Sequence, residues 1–238
     1  MKINWGIIKF LVLTGLIIVL FGFTKQRNEV RKLSKIDVKF VDENDPFITL
    51  NAVNKLLIQN IDSVTSIDKE TLVLKEMESR LLANPMIRGA EVFVTVDGVL
   101  GAKIEQRDPV ARVAASPDFY LDADGKKMPL SSVYSARVPI VTGLSESQFE
   151  VITPLLLQIR EDEFMRNTVV GLVVNSEGNV TLEMRKHDFK VLFGKPRAIA
   201  KKFQNFKAFY QKTKQDSTLT GYEVVDLKFG NQVVATKK

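Results

Sequence analysis

LLANPMIRGAEVFVTVDGVLGAKIEQRDPVAR, residues 81–112, decides how the rest of the chain is read. Leu81 and Leu82 close a segment with helical apolar spacing. Asn84 precedes Pro85, and a residue before proline is pushed out of the helical region, so the helix stops there. Val92, Val94 and Val96 then alternate with Glu91, Phe93 and Thr95, the period of a strand. Asp97-Gly98 supplies the positive φ that a tight hairpin needs. Leu100, Ala102 and Ile104 alternate again before Arg107-Asp108-Pro109 ends the pair. The stretch reads as helix end, strand, turn, strand.

Upstream, Ile36, Val38 and Phe40 alternate with Asp37 and Lys39 and predict a first strand. Residues 42–46 read as a loop. Leu50, Val53, Leu56 and Leu57 have helical spacing, so a helix is expected over 50–60, capped by Thr49. A polar linker covers 62–66. A second helix is expected over 69–83, capped by Asp68, with Leu72, Met77, Leu81 and Leu82 turned inward. The order is strand, helix, helix, strand, strand. It suits two helices packed on one face of a three-stranded sheet, each layer burying the other's apolar side.

Downstream, a second domain is expected from about Pro109. Strands are read at 110–114, 119–121, 128–130 and 138–141, with Asp122-Ala123-Asp124-Gly125 as a turn. Thr153-Pro154 reads as a cap followed by proline at the first helical position, opening a helix to about Phe164. Strands at 169–174 and 180–185 flank a turn at Glu177-Gly178, and a short strand covers 190–193. A basic amphipathic helix is expected over 197–212. The strand 222–229, a turn at Gly230-Asn231 and the segment 232–236 follow. The class is therefore α+β, with the second domain a mixed fold around an antiparallel sheet.

At 238 residues and 45% hydrophobic content, the chain suits an anchor plus two modest domains. It has no cysteine, which excludes disulfides, thiolate metal sites and a cysteine nucleophile, and its single histidine, His187, argues against a His-based metal site. A net charge of +6 favours anionic surfaces without choosing among them. From Trp5 to Phe23 the chain is apolar apart from Lys9, Thr14 and the glycines, close to the length that spans a bilayer. No small-residue cleavage site follows, so an uncleaved anchor over 5–24 is expected, with residues 1–4 as a short leading end. Lys25, Arg27, Arg31, Lys32 and Lys35 follow the span, and a bare count of positive charge would keep the body in the cytoplasm.

Several constellations have a plainer reading. Asp122, Asp124 and Gly125 match part of a calcium loop, but Lys126 and Lys127 stand where ligands belong, so a plain turn is expected. Glu161, Asp162 and Glu163 point in different directions on a helix and read as solvated surface. His187, between Lys186 and Asp188, reads as a surface histidine. Ile199, Phe203, Phe206 and Tyr210 form an apolar stripe, with Lys201, Lys202, Lys207, Lys212 and Lys214 on a basic face that is either solvated or turned to anionic polymer or lipid. No catalytic residue, metal ligand or cofactor site emerges. The late strand at 224–229 is either an ordinary closing strand or a sheet edge whose unpaired backbone recruits a partner.

Asn84-Pro85-Met86-Ile87, Ala90-Glu91-Val92, Gln106-Arg107-Asp108-Pro109-Val110-Ala111-Arg112, Tyr120-Leu121-Asp122 with Gly125, Pro139-Ile140-Val141-Thr142-Gly143 and Val225-Asp226-Leu227-Lys228-Phe229 together resemble the FtsQ/DivIB family of bacterial division proteins, in the form found in Bacteroidota-type Gram-negative bacteria. The resemblance implies a POTRA domain over 36–106 and a β domain over 107–238. It implies a single-pass inner-membrane protein with a cytoplasmic amino-terminal end and a periplasmic body, enriched at the septum. The implied role is a non-catalytic scaffold linking early and late division proteins and regulating septal peptidoglycan synthesis. Its implied partners are single-span FtsL-type and FtsB/DivIC-type proteins, with other divisome members and peptidoglycan as further contacts and no nucleic acid. They would add a strand along Tyr222, Val224, Val225, Asp226, Leu227, Lys228, Phe229 and Gly230. The alternative is a POTRA-containing factor that handles outer-membrane proteins.

Overall fold

A computed structural model of the chain describes residues 5–29, 33–42, 46–58, 73–230 and 232–238. A long helix, α1 (Trp5–Glu29), comes first. Phe10, Leu11, Leu13, Ile17, Phe21 and Phe23 are all exposed on it. The Thr14 and Thr24 hydroxyls donate back to the Phe10 and Leu20 carbonyls at 2.9 and 2.7 Å, so neither needs an outside partner. Among the described residues no helix is long and apolar enough to cross a membrane.

The chain divides into two compact units, meeting in sequence at Gln106 and Arg107, with α1 counted in the first. In the first, β1 (Lys35–Phe40) is followed by α2 (Leu50–Leu57), α3 (Leu74–Leu82), β2 (Ile87–Val94) and β3 (Val99–Gln106). The strand order is β1-β3-β2, with β1 parallel and β2 antiparallel to β3. The hairpin turns where Gly98 takes φ +81°. Leu100, Ala102 and Ile104 face the core with Val53, Leu57, Met77 and Leu81, each large side chain contributing about 1.5–3 kcal/mol by leaving water. The opposite side of β3 is covered differently: Gly101 leaves room for the Phe93 ring, which a side chain there would strike.

The caps explain where these helices begin and end. Thr49 accepts a hydrogen bond from the Ala52 amide at 3.1 Å, as an N-cap should. α3 stops before Asn84-Pro85, and the Asn84 side chain accepts from the Met86 amide at 2.9 Å. The expected cap Asp68, the inward Leu72, the expected linker 62–66 and the expected helical positions 59–60 and 69–72 lie outside the described residues. Leu82 departs from expectation. It is 47% exposed because the inward face of α3 passes through Met77 and Leu81.

The second unit holds β4 (Pro109–Val113), β5 (Phe119–Asp122), β6 (Lys127–Pro129), β7 (Ile140–Thr142), α4 (Phe149–Glu161), α5 (Glu163–Thr168), β8 (Val169–Val174), β9 (Val180–Met184), β10 (Lys190–Gly194), α6 (Ile199–Gln215), β11 (Tyr222–Asp226) and β12 (Val234–Lys237). Its strands run β12-β11-β10-β9-β8-β7-β4-β5-β6. The sheet is mixed rather than antiparallel. β4 with β7, β7 with β8 and β10 with β11 are parallel, the last two joined through helices or longer crossings. Ile152, Leu155, Leu156 and Ile159 of α4 and Ile199, Phe203 and Phe206 of α6 share one core with the sheet.

Pro46 and Phe47 also belong to this second unit. The Phe47 ring lies edge-on to Tyr134 at 5.2 Å, and its carbonyl accepts from the Ser131 hydroxyl at 2.7 Å.

Two helix expectations are corrected here. Thr153-Pro154 does not open α4; it lies within it, and the Thr153 hydroxyl donates to the Phe149 carbonyl at 2.7 Å. The start signal is Ser145-x-x-Gln148, a capping box that opens a 3-10 turn leading into the helix. The helix also ends sooner than expected. Asp162 leaves the helical region at ψ 111° and caps α5 by accepting from the Met165 amide at 3.1 Å.

Candidate docking edge

β11 is the strand on which partner addition was expected, and its backbone is occupied on both sides. Lys190, Val191 and Leu192 of β10 pair with Val224, Val225 and Asp226 on one side. Thr236, Ala235 and Val234 of β12 pair with the same three residues on the other. The Leu227 amide extends the first ladder by donating to the Leu192 carbonyl at 2.9 Å. As a free rim the strand 222–229 is therefore corrected. Among the described residues, the strand with no neighbour on its far side at this end of the sheet is β12.

The expected site residues separate into two groups. Val225 and Leu227 are core residues. Tyr222 is partly buried and meets the Phe209 ring of α6 edge-on at 5.2 Å. Val224 and Asp226 are half-buried within the ladder. Lys228, Phe229 and Gly230 gather on the turn that leads to β12. The Asp226 carboxylate accepts from the Lys228 amide at 2.8 Å and pairs with its ammonium at 3.1 Å, which fixes the turn's first residue. Phe229 on the turn is 49% exposed, and Val234 at the start of β12 is 42% exposed. The residues the sequence reading left out are Val234, Ala235, Thr236 and Lys237. Gly230-Asn231 was the signal for them, because glycine between two strand-like segments predicts that the two pair as a hairpin.

β10 is held from behind by Lys202, which is only 8% exposed on α6 and so corrects its place on a solvated face. Its ammonium donates to the Phe193 and Lys195 carbonyls at 2.6 and 3.0 Å and lies 4.3 Å from the Phe193 ring centroid. Burial pushes this lysine below the ordinary amine range, and the Asp226 carboxylate pulls it partly back. His187 is likewise more than a surface group: Nε2 lies 2.9 Å from the Tyr210 hydroxyl, and the ring stacks on Phe189. Burial lowers its basicity, aided by Lys186 and Lys214 and opposed by Asp188. Lys207 is also drawn off the basic face into an ion pair with Asp162.

Asp122 is a structural carboxylate. It accepts from Arg107 at 2.6 Å and from the Asp124 and Lys126 amides at 3.0 and 2.7 Å, so its oxygens close the turn at Gly125. Among the described residues no group of three or more His, Cys, Asp or Glu side chains is arranged to hold a metal ion.

A family model described as FtsQ/DivIB, C-terminal related, matches residues 108–236. No curated protein matches the chain. The match begins within two residues of the second unit, runs through its outermost strand and takes in more than half of the sequence. The chain is therefore a member of the FtsQ/DivIB family, a family of membrane-associated, non-enzymatic division proteins that take part in divisome interactions.

Proposed function

We propose that this chain is a divisome scaffold that captures a strand of a single-span partner along β12. The observation that carries the reading is the open backbone of β12, flanked by exposed Phe229 and Val234. A strand exposes donors and acceptors on alternate residues, and an edge left without a neighbour either needs protection or takes another strand. Backbone hydrogen bonds then supply affinity, and side-chain pockets supply specificity. The partners are of the FtsL and FtsB/DivIC types, and through them the scaffold links early and late division proteins and regulates septal peptidoglycan synthesis. The first unit is a POTRA domain, a reading supported by its β-α-α-β-β order.

The body is held at the inner membrane by α1, with residues 1–4 in the cytoplasm and the two units in the periplasm. The apolar run Trp5–Phe23 and the self-satisfied threonines of α1 support an anchor, since a lipid-facing polar group without a partner is costly. The basic residues behind it do not oppose export, because large domains cross largely regardless of flanking charge.

The test is capture of the purified partner ectodomains by the full chain. Phe229→Asp and Ala235→Pro are each expected to weaken capture at least tenfold with the thermal melt unchanged. Capture equal to that of the unsubstituted chain would remove β12 from the account.

A further inference from the structure

A concavity of about 490 Å3 lies at the end of the second unit's sheet where β4, β7 and β8 begin. Val110, Leu156, Ile159 and Val169 line it and are buried, and Ile140 lines it half-exposed. Four arginines stand around this apolar lining: Arg137, Arg160, Arg166 and Arg185. Arg160 pairs with Asp108, and among the described residues the other three have no carboxylate partner. Four guanidiniums with one carboxylate paired among them leave an excess of positive charge at the pocket. Arg137, Arg166 and Arg185 are exposed at the rim, where their combined positive charge favours an anionic ligand.

The guanidiniums are also held in place. Arg166 donates through Nη1 to the Arg160 carbonyl at 3.1 Å, and Arg185 through Nε to the Asn167 carbonyl at 3.2 Å. A guanidinium carries five N–H donors in a rigid fork, so each of these keeps most of its donors for a ligand. The volume suits a small molecule, whose sites run to roughly 300–1,000 Å3. A partner helix, about 10 Å across with its side chains, would fill such a pocket within a turn or two.

We propose that this pocket binds a diphosphate-bearing ligand. The guanidiniums take the phosphate oxygens in bidentate pairs, and the apolar lining takes the first carbons of the group the diphosphate carries. Three unpaired positive charges match a diphosphate better than a single carboxylate. The ligand is either a soluble nucleoside diphosphate or a lipid-linked one. The site is separate from β12 and does not depend on partner capture.

The experiment is calorimetric titration of the detergent-solubilised full chain with sodium diphosphate at fixed ionic strength, then with ADP and with geranyl diphosphate. Saturable binding is expected, weakened at least tenfold in the Arg166→Ala/Arg185→Ala double variant with its circular dichroism unchanged. Tighter binding of geranyl diphosphate than of ADP would identify the lipid-linked source, and the reverse order the soluble one. Binding that does not saturate, or that is equal in the double variant, would overturn the proposal. So would displacement of diphosphate by a glutamate-rich peptide at lower concentration, which would make the pocket a reader of protein carboxylates. Should the double variant lose its fold, Arg137→Gln on an exposed loop carries the same test, with about a threefold loss expected and an unchanged affinity overturning the assignment.

Discussion

Asp122 shows how much one carboxylate can hold. Its side chain is nearly inaccessible, joins Arg107 to the turn after β5 and closes that turn through two amides. Removing one partner of a buried ion pair leaves the other charge uncompensated, at a cost of about 3–5 kcal/mol. Asp122→Ala is therefore expected to lower the unfolding free energy of the second unit by that amount in urea titration. Asp162 makes a second test. Burial raises its pKa, but the hydrogen bond from Lys207 and the amides of Met165 and Phe164 outweigh burial and hold it below the usual 3.8. A depressed carboxylate contributes stability that is present above its unfolded pKa and lost as pH falls through the folded value. Stability should fall on acidification below about pH 4, and Asp162→Asn should flatten that fall; an unchanged acid limb would contradict the pairing. In the sequence both residues were visible as polar punctuation. Their partners were not, because Arg107 and Lys207 lie 15 and 45 residues away and only the fold brings them near.

Among the elements, those with strict periodicity were the most legible. β2, β3 and the Gly98 turn follow from alternation and one positive φ. α4 was misread because Thr-Pro imitates a helix start, yet Pro154 lies inside the helix, where it forfeits one backbone hydrogen bond. The capping box at Ser145 decides between the two: Ser145→Ala should cost about 1 kcal/mol in thermal unfolding. A negligible cost would mean that the box does not hold the start of the helix. The docking edge was misread for another reason. Local pattern found both β11 and the segment after Gly230, but strand order is a property of pairing. Parallel β10 claims one side of β11, which leaves β12 as the outer strand.

For the whole molecule, the division into two units at Gln106 coincides with the dipeptide that ends the β3 pattern, and the family match begins just beyond it. Fold class was legible because each unit has its own apolar periodicity. The mixed strand directions of the second unit were not, since direction depends on crossings rather than on spacing. The scaffold reading requires that the body present a strand edge to an incoming chain while its cores stay closed. Amide hydrogen exchange across the full chain, with and without the FtsL-type and FtsB/DivIC-type ectodomains, measures this directly. The account predicts new protection at alternate amides of residues 234–237, with β10 and β11 already protected and the opposite edge strand β6 unchanged. Protection appearing at β6, or none appearing at β12 while the partners are bound, would contradict it.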